Sequence, residues 1–153
     1  IVVLKNGKIE QIDSPTDIYD KPNSLYVAEF IGDANVISSK IESIDYEKNL
    51  VYLENNMIGK LNKGFSVGQR VDIVIRPENI KISSTLKKQN SLVGVIDELI
   101  YDGSSTKLIF EIDNHMIKVV VFGNDKKFEI GQELNLYWDV EDIVVFGRGK
   151  NEK

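Results

Sequence analysis

Two stretches of this chain repeat each other without a gap. Phe65-Ser66-Val67-Gly68-Gln69-Arg70-Val71-Asp72-Ile73-Val74-Ile75-Arg76-Pro77-Glu78-Asn79-Ile80 lies on Phe128-Glu129-Ile130-Gly131-Gln132-Glu133-Leu134-Asn135-Leu136-Tyr137-Trp138-Asp139-Val140-Glu141-Asp142-Ile143 at a constant offset of 63, that is 128 minus 65. Each copy reads as a hydrophobic anchor, a Gly-Gln turn, an alternating strand and a turn that leads into a last strand. Val71, Ile73 and Ile75 match Leu134, Leu136 and Trp138, and alternation with a period of two puts one face of each strand on a core. Less closely, residues 36–44 correspond to 92–100, each an Ile/Val-rich strand opening its half. A unit met twice implies two related β lobes rather than a solenoid.

The remaining punctuation agrees with short strands. Runs at 36–44, 50–54, 57–61, 71–76, 92–101, 106–112, 115–122, 134–138 and 143–146 are separated by Asp45 to Asn49, Asn55-Asn56, Asp102-Gly103 and Asp113-Asn114. These are the residues that accept tight-turn dihedrals. Ahead of them, residues 1–5 and 8–12 flank Asn6-Gly7, the dipeptide of a type I′ hairpin. Ser14-Pro15-Thr16-Asp17 carries a capping hydroxyl, a proline for the first helical position and a carboxylate near the free N–H groups, which predicts a short helix to Asp20. Asn23 is placed to cap a second helix through Leu25, Tyr26, Val27, Ala28, Phe30 and Ile31, ended by Gly32. Its nearly continuous apolar composition predicts burial.

The division that follows is a hairpin-and-helix segment over 1–34, a first β lobe over 35–84 and a second over 85–153. The strands of the second span about 91–147, and the polar stretch from Ser83 to Ser91 joins the lobes. The fold expected is all-β, two tandem barrel-like lobes preceded by a β-hairpin and two short helices.

Composition narrows the chemistry. Among 153 residues there is no cysteine, one histidine and two methionines, which excludes disulfide frameworks, thiolate metal centres and thiol catalysis and fits a reducing cytoplasm. The net charge of −5, with no basic run longer than the doublets Lys87-Lys88 and Lys126-Lys127, argues against nucleic acid, whose binders need a cationic stripe to release counterions. No apolar run approaches the ~18 residues of a membrane span. The chain opens on Ile1-Val2-Val3-Leu4 without Met or a signal-peptide n-region, and reads as part of something longer.

Val3-Leu4-x-x-Gly7-x-Ile9-x-Gln11-x-x-x-Pro15-x-x-Ile18-Tyr19-x-x-Pro22-x-x-x-x-Val27-Ala28-x-Phe30-Ile31-Gly32 resembles the segment that leaves the nucleotide-binding domain of ABC-type import ATPases. In that family a regulatory domain of the TOBE type follows, related to oligonucleotide/oligosaccharide-binding (OB) barrels and marked by Arg-Pro-Glu-Asp/Asn-Ile, here Arg76-Pro77-Glu78-Asn79-Ile80. Phe30-Ile31-Gly32-Asp33-x-Asn35 and the late Trp138 with Glu141-Asp142 resemble the spermidine/putrescine importers most, with Asp33 where those proteins more often carry Glu. The resemblance implies a C-terminal regulatory and dimerisation domain of an importer's ATP-binding subunit. Its implied partners are a second copy, the nucleotide-binding domain of the same chain and transmembrane permease subunits, with no nucleic acid. The implied place is the cytoplasmic face of the membrane, held peripherally in the transporter. ATP and Mg belong to the nucleotide-binding domain, since no Gly-x-x-x-x-Gly-Lys-Ser/Thr loop occurs here. No catalytic, cofactor or metal residues are expected within these 153 positions.

Each candidate residue also admits a plainer role. Arg76, Glu78 and Asn79 form a candidate regulatory motif. Arg76 could grip a carboxylate or phosphate, but an intramolecular ion pair closing a barrel edge is the commoner use, and its repeat partner is Asp139. Gly32, Asp33 and Asn35 form a candidate hinge between the helices and the lobes. Gly103-Ser104-Ser105-Thr106 could present donors to an oxyanion, which supports the alternative of a free-standing molybdate-type binder; a hairpin turn explains it as well. Asp45, Glu47, Glu54, Asp97, Glu98, Asp102, Asp139, Glu141 and Asp142 could form a polyamine site, though scattered surface carboxylates are ordinary in an acidic domain. His115 reads as a turn-proximal edge residue. Trp138, in the register of Ile75, reads as core rather than a base-stacking platform, with Phe65 and Phe128 as plugs.

Overall fold

The computed structural model describes residues 1–85, 89–123 and 127–148. Lys87, Lys88 and Lys126, and the middle of the joining stretch, lie outside the described residues. The chain begins with an antiparallel hairpin, β1 (Val2–Lys5) and β2 (Lys8–Ile12), followed by α1 (Pro15–Asp20) and α2 (Leu25–Ile31). Asn6 and Gly7 carry the positive φ values of 50° and 76° that the tight turn needs. Ser14 Oγ accepts from Asp17 N at 3.2 Å, and Pro15 occupies the first turn of α1.

Two details depart from the sequence reading. Ser24, not Asn23, caps α2: it is extended at φ −149°, and its Oγ accepts from Val27 N at 3.3 Å. Asn23 N instead donates to Gln11 Oε1 at 2.8 Å, tying the helix linker to the hairpin. The helix also buries one stripe only, Val27 and Ala28, while Phe30 remains 64% exposed. A seven-residue helix packed from one side has no second partner for its outer face.

The strands then run β3 (Asn35–Asp45), β4 (Leu50–Leu53), β5 (Met57–Lys60), β6 (Arg70–Ile75), β7 (Lys81–Ser83), β8 (Ser91–Asp102), β9 (Ser105–Ile112), β10 (His115–Phe122), β11 (Glu133–Tyr137) and β12 (Ile143–Gly147). They form two curled antiparallel sheets ordered β12-β6-β3-β4-β5 and β10-β9-β8-β11-β7. The fold is thus mostly β, two curled antiparallel sheets behind a hairpin and two short helices, as the sequence reading expects.

The repeat is legible in the hydrogen bonds. Gly68 N and Gly131 N donate to Ile41 O and Ile96 O, each at 2.8 Å, and Ile41 N and Ile96 N donate back to Gln69 O and Gln132 O, each at 2.9 Å. Both glycines need the left-handed φ they adopt, 88° and 90°. These bonds, and bulges after Ile41 and Ile96, set β3 and β8 in correspondence at an offset of 55 (96 minus 41). The sequence pairing of 36–44 with 92–100 is one residue out, because apolar content alone does not locate a bulge.

The sheets exchange their last strands. The strand after the first copy's turn, β7, pairs with β11, and the strand after the second copy's turn, β12, pairs with β6. Each sheet therefore contains one strand from the other half of the sequence. One continuous core results, with Ile41, Ile73 and Ile75 from one sheet and Ile96, Phe110 and Leu136 from the other. Phe128 and Trp138 lie in it and Phe65 packs on its border. A separate cluster of Val3, Ile18 and Val27 holds the hairpin to the helices. Among the described residues, no helix is long and apolar enough to cross a membrane.

Candidate functional site

The N-terminal unit meets the lobes where α2 ends and β6 ends. Arg76, the residue after β6, is 5% exposed and points into that junction. Its Nη1 donates to Ala28 O at 2.8 Å, Gly32 O at 3.3 Å and Asp33 O at 3.1 Å, and its Nη2 donates to Tyr19 O at 3.2 Å. The terminal carbonyls of a helix have no intrahelical partner, and a cation there opposes the negative end of the dipole. Arg76 is an intramolecular clamp on main-chain carbonyls of the N-terminal unit, where the plainer sequence reading expects an ion pair closing a barrel edge.

Tyr19 completes the junction. Its ring lies under the guanidinium, 4.2 Å from Cζ to the ring centroid. Its hydroxyl donates to Glu78, the exposed first-turn carboxylate of the 3-10 turn Pro77–Asn79. Burial, and then that hydrogen bond to an anion, push the phenol up to about 12. Asn79 N closes the turn on Arg76 O at 3.0 Å. Gly32 is extended at φ −175° and ends α2 without a left-handed residue. A Cβ at Gly32 would sit 3.1 Å from Tyr19 Cε2, a close approach that the tyrosine ring would have to ease.

The next residues are gripped by the second sheet. Asp33 pairs with Lys118 at 3.0 Å and Lys107 at 3.2 Å, and the Lys118 contact above all holds its carboxyl below the usual range. Asn35 is buried; its Nδ2 donates to Lys118 O and its Oδ1 accepts from Lys118 N, both at 2.8 Å. Asn90 does the reverse service, its Oδ1 accepting from Ile58 N of β5 at 2.8 Å. Beside the junction runs a cleft of about 710 Å³ lined by Tyr19, Lys60, Asn62, Arg76, Asn79 and Glu141 among others. Lys60 and Glu141 are paired with each other within it.

The other sequence candidates lie apart. Gly103-Ser104 is the two-residue tip between β8 and β9, with Gly103 at φ 59°, and Ser105 and Thr106 already belong to β9. Asp139, repeat partner of Arg76, is exposed and pairs with Lys81 at 2.6 Å. Asp45 caps its own turn through Glu47 N and Lys48 N, each at 3.0 Å, and Asp142 accepts from Asp139 N. No three His, Cys, Asp or Glu side chains come together as a metal-holding group among the described residues. His115 is exposed at the start of β10, and Trp138 is 3% exposed.

Sequence reasoning passed over Tyr19, the two lysines of Asp33 and the roles of Asn35 and Asn90. Asn90 had a signal: it stands 55 residues after Asn35, each opening its half.

Comparison with known proteins adds three findings. The TOBE domain family matches residues 73–146. The chain is 30% identical to the spermidine/putrescine import ATP-binding protein PotA of Desulfitobacterium hafniense strain Y51 over 152 residues, 99% of this chain and 41% of that one. It is 33% identical to the protein of the same name from Spiroplasma citri over 146 residues, 95% of this chain and 39% of that one. The chain thus spans about two fifths of the length of these relatives. Among solved structures, the cytoplasmic molybdate-binding protein ModG matches with a TM-score of 0.56, covering 72% of this chain and 94% of that one at 9% identity. At that identity the likeness is one of fold.

Proposed function

We propose, from the premise that this chain carries a TOBE domain homologous to the C-terminal regulatory domain of PotA-type ABC-transporter ATPases, that it is the regulatory and dimerisation domain of an ABC importer's ATP-binding subunit. The observation that carries this reading is the extent of the similarity. It spans the hairpin, the helices and both lobes, and those parts are bolted together by Arg76. A module that binds a ligand by itself has no need of a hairpin and two helices fixed so firmly to its lobes.

In this reading the nucleotide-binding domain precedes the hairpin in the same polypeptide and carries ATP and Mg. Two copies pack through their β lobes and keep the subunits associated while the nucleotide domains separate. The permease subunits hold the assembly at the cytoplasmic face of the membrane. The segment Gly32, Asp33 and Asn35 sets the angle between the helices and the lobes, and the turn of Arg76, Glu78 and Asn79 is the regulatory contact on it. Polyamines are the cargo, because both relatives are named for spermidine and putrescine import.

The test uses the complete ATP-binding subunit encoded by the gene, with its permease, in proteoliposomes. Expected are ATP-driven uptake of labelled spermidine or putrescine, and loss of subunit association in sedimentation when residues 35–153 are removed. A subunit that stays dimeric without them refutes the dimerisation role. Failure to transport either polyamine while another cargo is taken up refutes the substrate. A saturable rise in melting temperature of this chain with molybdate would instead favour the free-standing oxyanion binder.

A further inference from the structure

The eight residues from Ala28 to Asn35 are held from two sides by different means. The first sheet holds their main chain through the buried guanidinium of Arg76, on the carbonyls of Ala28, Gly32 and Asp33. The second sheet holds a side chain, the carboxylate of Asp33, through the ammonium groups of Lys107 on β9 and Lys118 on β10 at 3.2 and 3.0 Å. Asp33 is thus the residue where both grips meet, its carbonyl on one lobe and its carboxylate on the other.

The two grips differ in strength and in how they release. A buried cation shared among four carbonyls is better sheltered from salt than a surface pair, and removing it leaves the buried carbonyl of Ala28 without that donor. Ion pairs whose lysine side chains are 35% and 40% exposed are worth little singly and weaken as the screening length shortens. Arg76 and, beside it, the Tyr19 hydroxyl on Glu78 hold the N-terminal unit at one place on the first lobe, about which it can turn. A second attachment off the axis fixes its orientation.

We infer that Asp33 is a releasable latch: with Arg76 as pivot, its ion pairs to Lys107 and Lys118 lock the angle of the hairpin-and-helix unit against the second lobe, and screening or competition for those lysines frees that angle. This goes beyond the regulatory reading above, since it stands on contacts within this chain whichever protein it serves. It also replaces a loose hinge over Gly32 to Asn35 with a two-state joint. The lobes stay joined in both states, because Asn35 binds Lys118 through the main chain and the sheets share strands.

The absence of cysteine makes a spin-label test direct. Labels at Glu29→Cys on α2 and Glu111→Cys on β9, both exposed, report the angle as a distance distribution. At low salt the labelled chain should give one narrow distance, and Asp33→Asn should broaden or shift it. Raising salt from about 0.05 to 1 M, which brings the screening length to about 3 Å, should turn the first pattern into the second and leave Asp33→Asn unchanged. Exchanging the charges, Asp33→Lys with Lys107→Glu and Lys118→Glu, should restore the narrow distance. Near-identical narrow distributions for the parent and Asp33→Asn at both salts would overturn the inference. So would a broadened distribution that the charge exchange fails to narrow in a protein whose lobes melt normally.

Discussion

Asn35 and Lys118 are joined as two strands are, the amide of one side chain exchanging a pair of 2.8 Å bonds with the main chain of the other. Asn35 opens β3 of the first sheet, and Lys118 lies on β10, an edge strand of the second. Asn90, just ahead of β8, meets Ile58 of β5, the edge of the first sheet. Each half thus supplies an asparagine that satisfies a strand edge of the other.

Asn35→Ala should leave an N–H and a C=O of Lys118 without partners at a buried site. The expected cost is about 1–3 kcal/mol, each kcal/mol lowering Tm by about 2–4 °C in a chain of this size. Asn35→Asp is the sharper probe: an ionised carboxylate accepts from Lys118 N but repels Lys118 O, so this variant should recover stability as the pH falls and the carboxyl regains a donor. A calorimetric pH series on both variants decides it; equal losses at every pH would mean the hydrogen-bond pair is not what matters.

The general outline was legible because it rests on local chemistry. Asn6-Gly7 made a hairpin, Ser14-Pro15 a helix start, and the 63-residue repeat two lobes. Even β7 was present in that repeat, since Lys81-Ile82-Ser83 occupies the place of Val144-Val145-Phe146, but three residues carry too little alternation to be read alone. The exchange of β7 and β12 was not legible: alternation says which face of a strand is buried and nothing of which neighbour it pairs with. The junction was half legible. The Arg76 turn and the Gly32 to Asn35 segment stood out separately, but their meeting depends on contacts more than forty residues apart.

Arg76→Lys keeps the charge and loses the planar fork that reaches carbonyls on both helices. The N-terminal unit, with its own small cluster of Val3, Ile18 and Val27, should then loosen ahead of the lobes. Hydrogen exchange should speed up over residues 15–34 by tenfold or more, about 1.4 kcal/mol at 25 °C, while amides of Ile73 and Phe110 keep their protection. Uniform acceleration across the chain would contradict a clamp confined to the junction.

Tyr19 gives a pH signature. Its folded pKa, pushed up to about 12, lies above the ordinary value of 10.0, so the folded state favours the protonated phenol. That contribution is fully present below about pH 10 and is lost as the pH rises toward 12. Tyr19→Phe should therefore flatten the alkaline fall in stability, and the late-rising part of the parent's phenolate absorbance, toward pH 12, should be missing from the variant. If the variant and the parent lose stability in parallel between pH 10 and 12, the Tyr19 to Glu78 contact is not formed in solution.

Asp33 should act at the other end of the scale. Its carboxyl is held below the ordinary value of 3.8 by Lys118 first and Lys107 second, so its share of stability is present above that value and disappears as the pH falls through the folded pKa. Being exposed and screened, the share is small, and Asp33→Asn should alter the acid limb of a stability curve slightly without moving the neutral plateau by more than a few tenths of a kcal/mol. A large loss at neutral pH would mean that Asp33 supports the fold itself rather than the angle of its N-terminal unit.

The strand exchange can be tested at one glycine. Gly59 of β5 lies against Val145 of β12, and a Cβ at Gly59 would fall 2.5 Å from Val145 Cγ2. The two strands are the outer strands of the first sheet, and Val145 reaches that place only because β12 crosses from the second half of the sequence. Gly59→Ala should cost about 1–3 kcal/mol through overpacking. Val145→Ala alone should also destabilise, by opening space in the core, but the pair should be more stable than the sum of the singles predicts, because the new methyl enters the volume the valine gave up. A double-mutant cycle by urea unfolding reads this directly: strict additivity would place Val145 away from Gly59, and with it β12 away from β5.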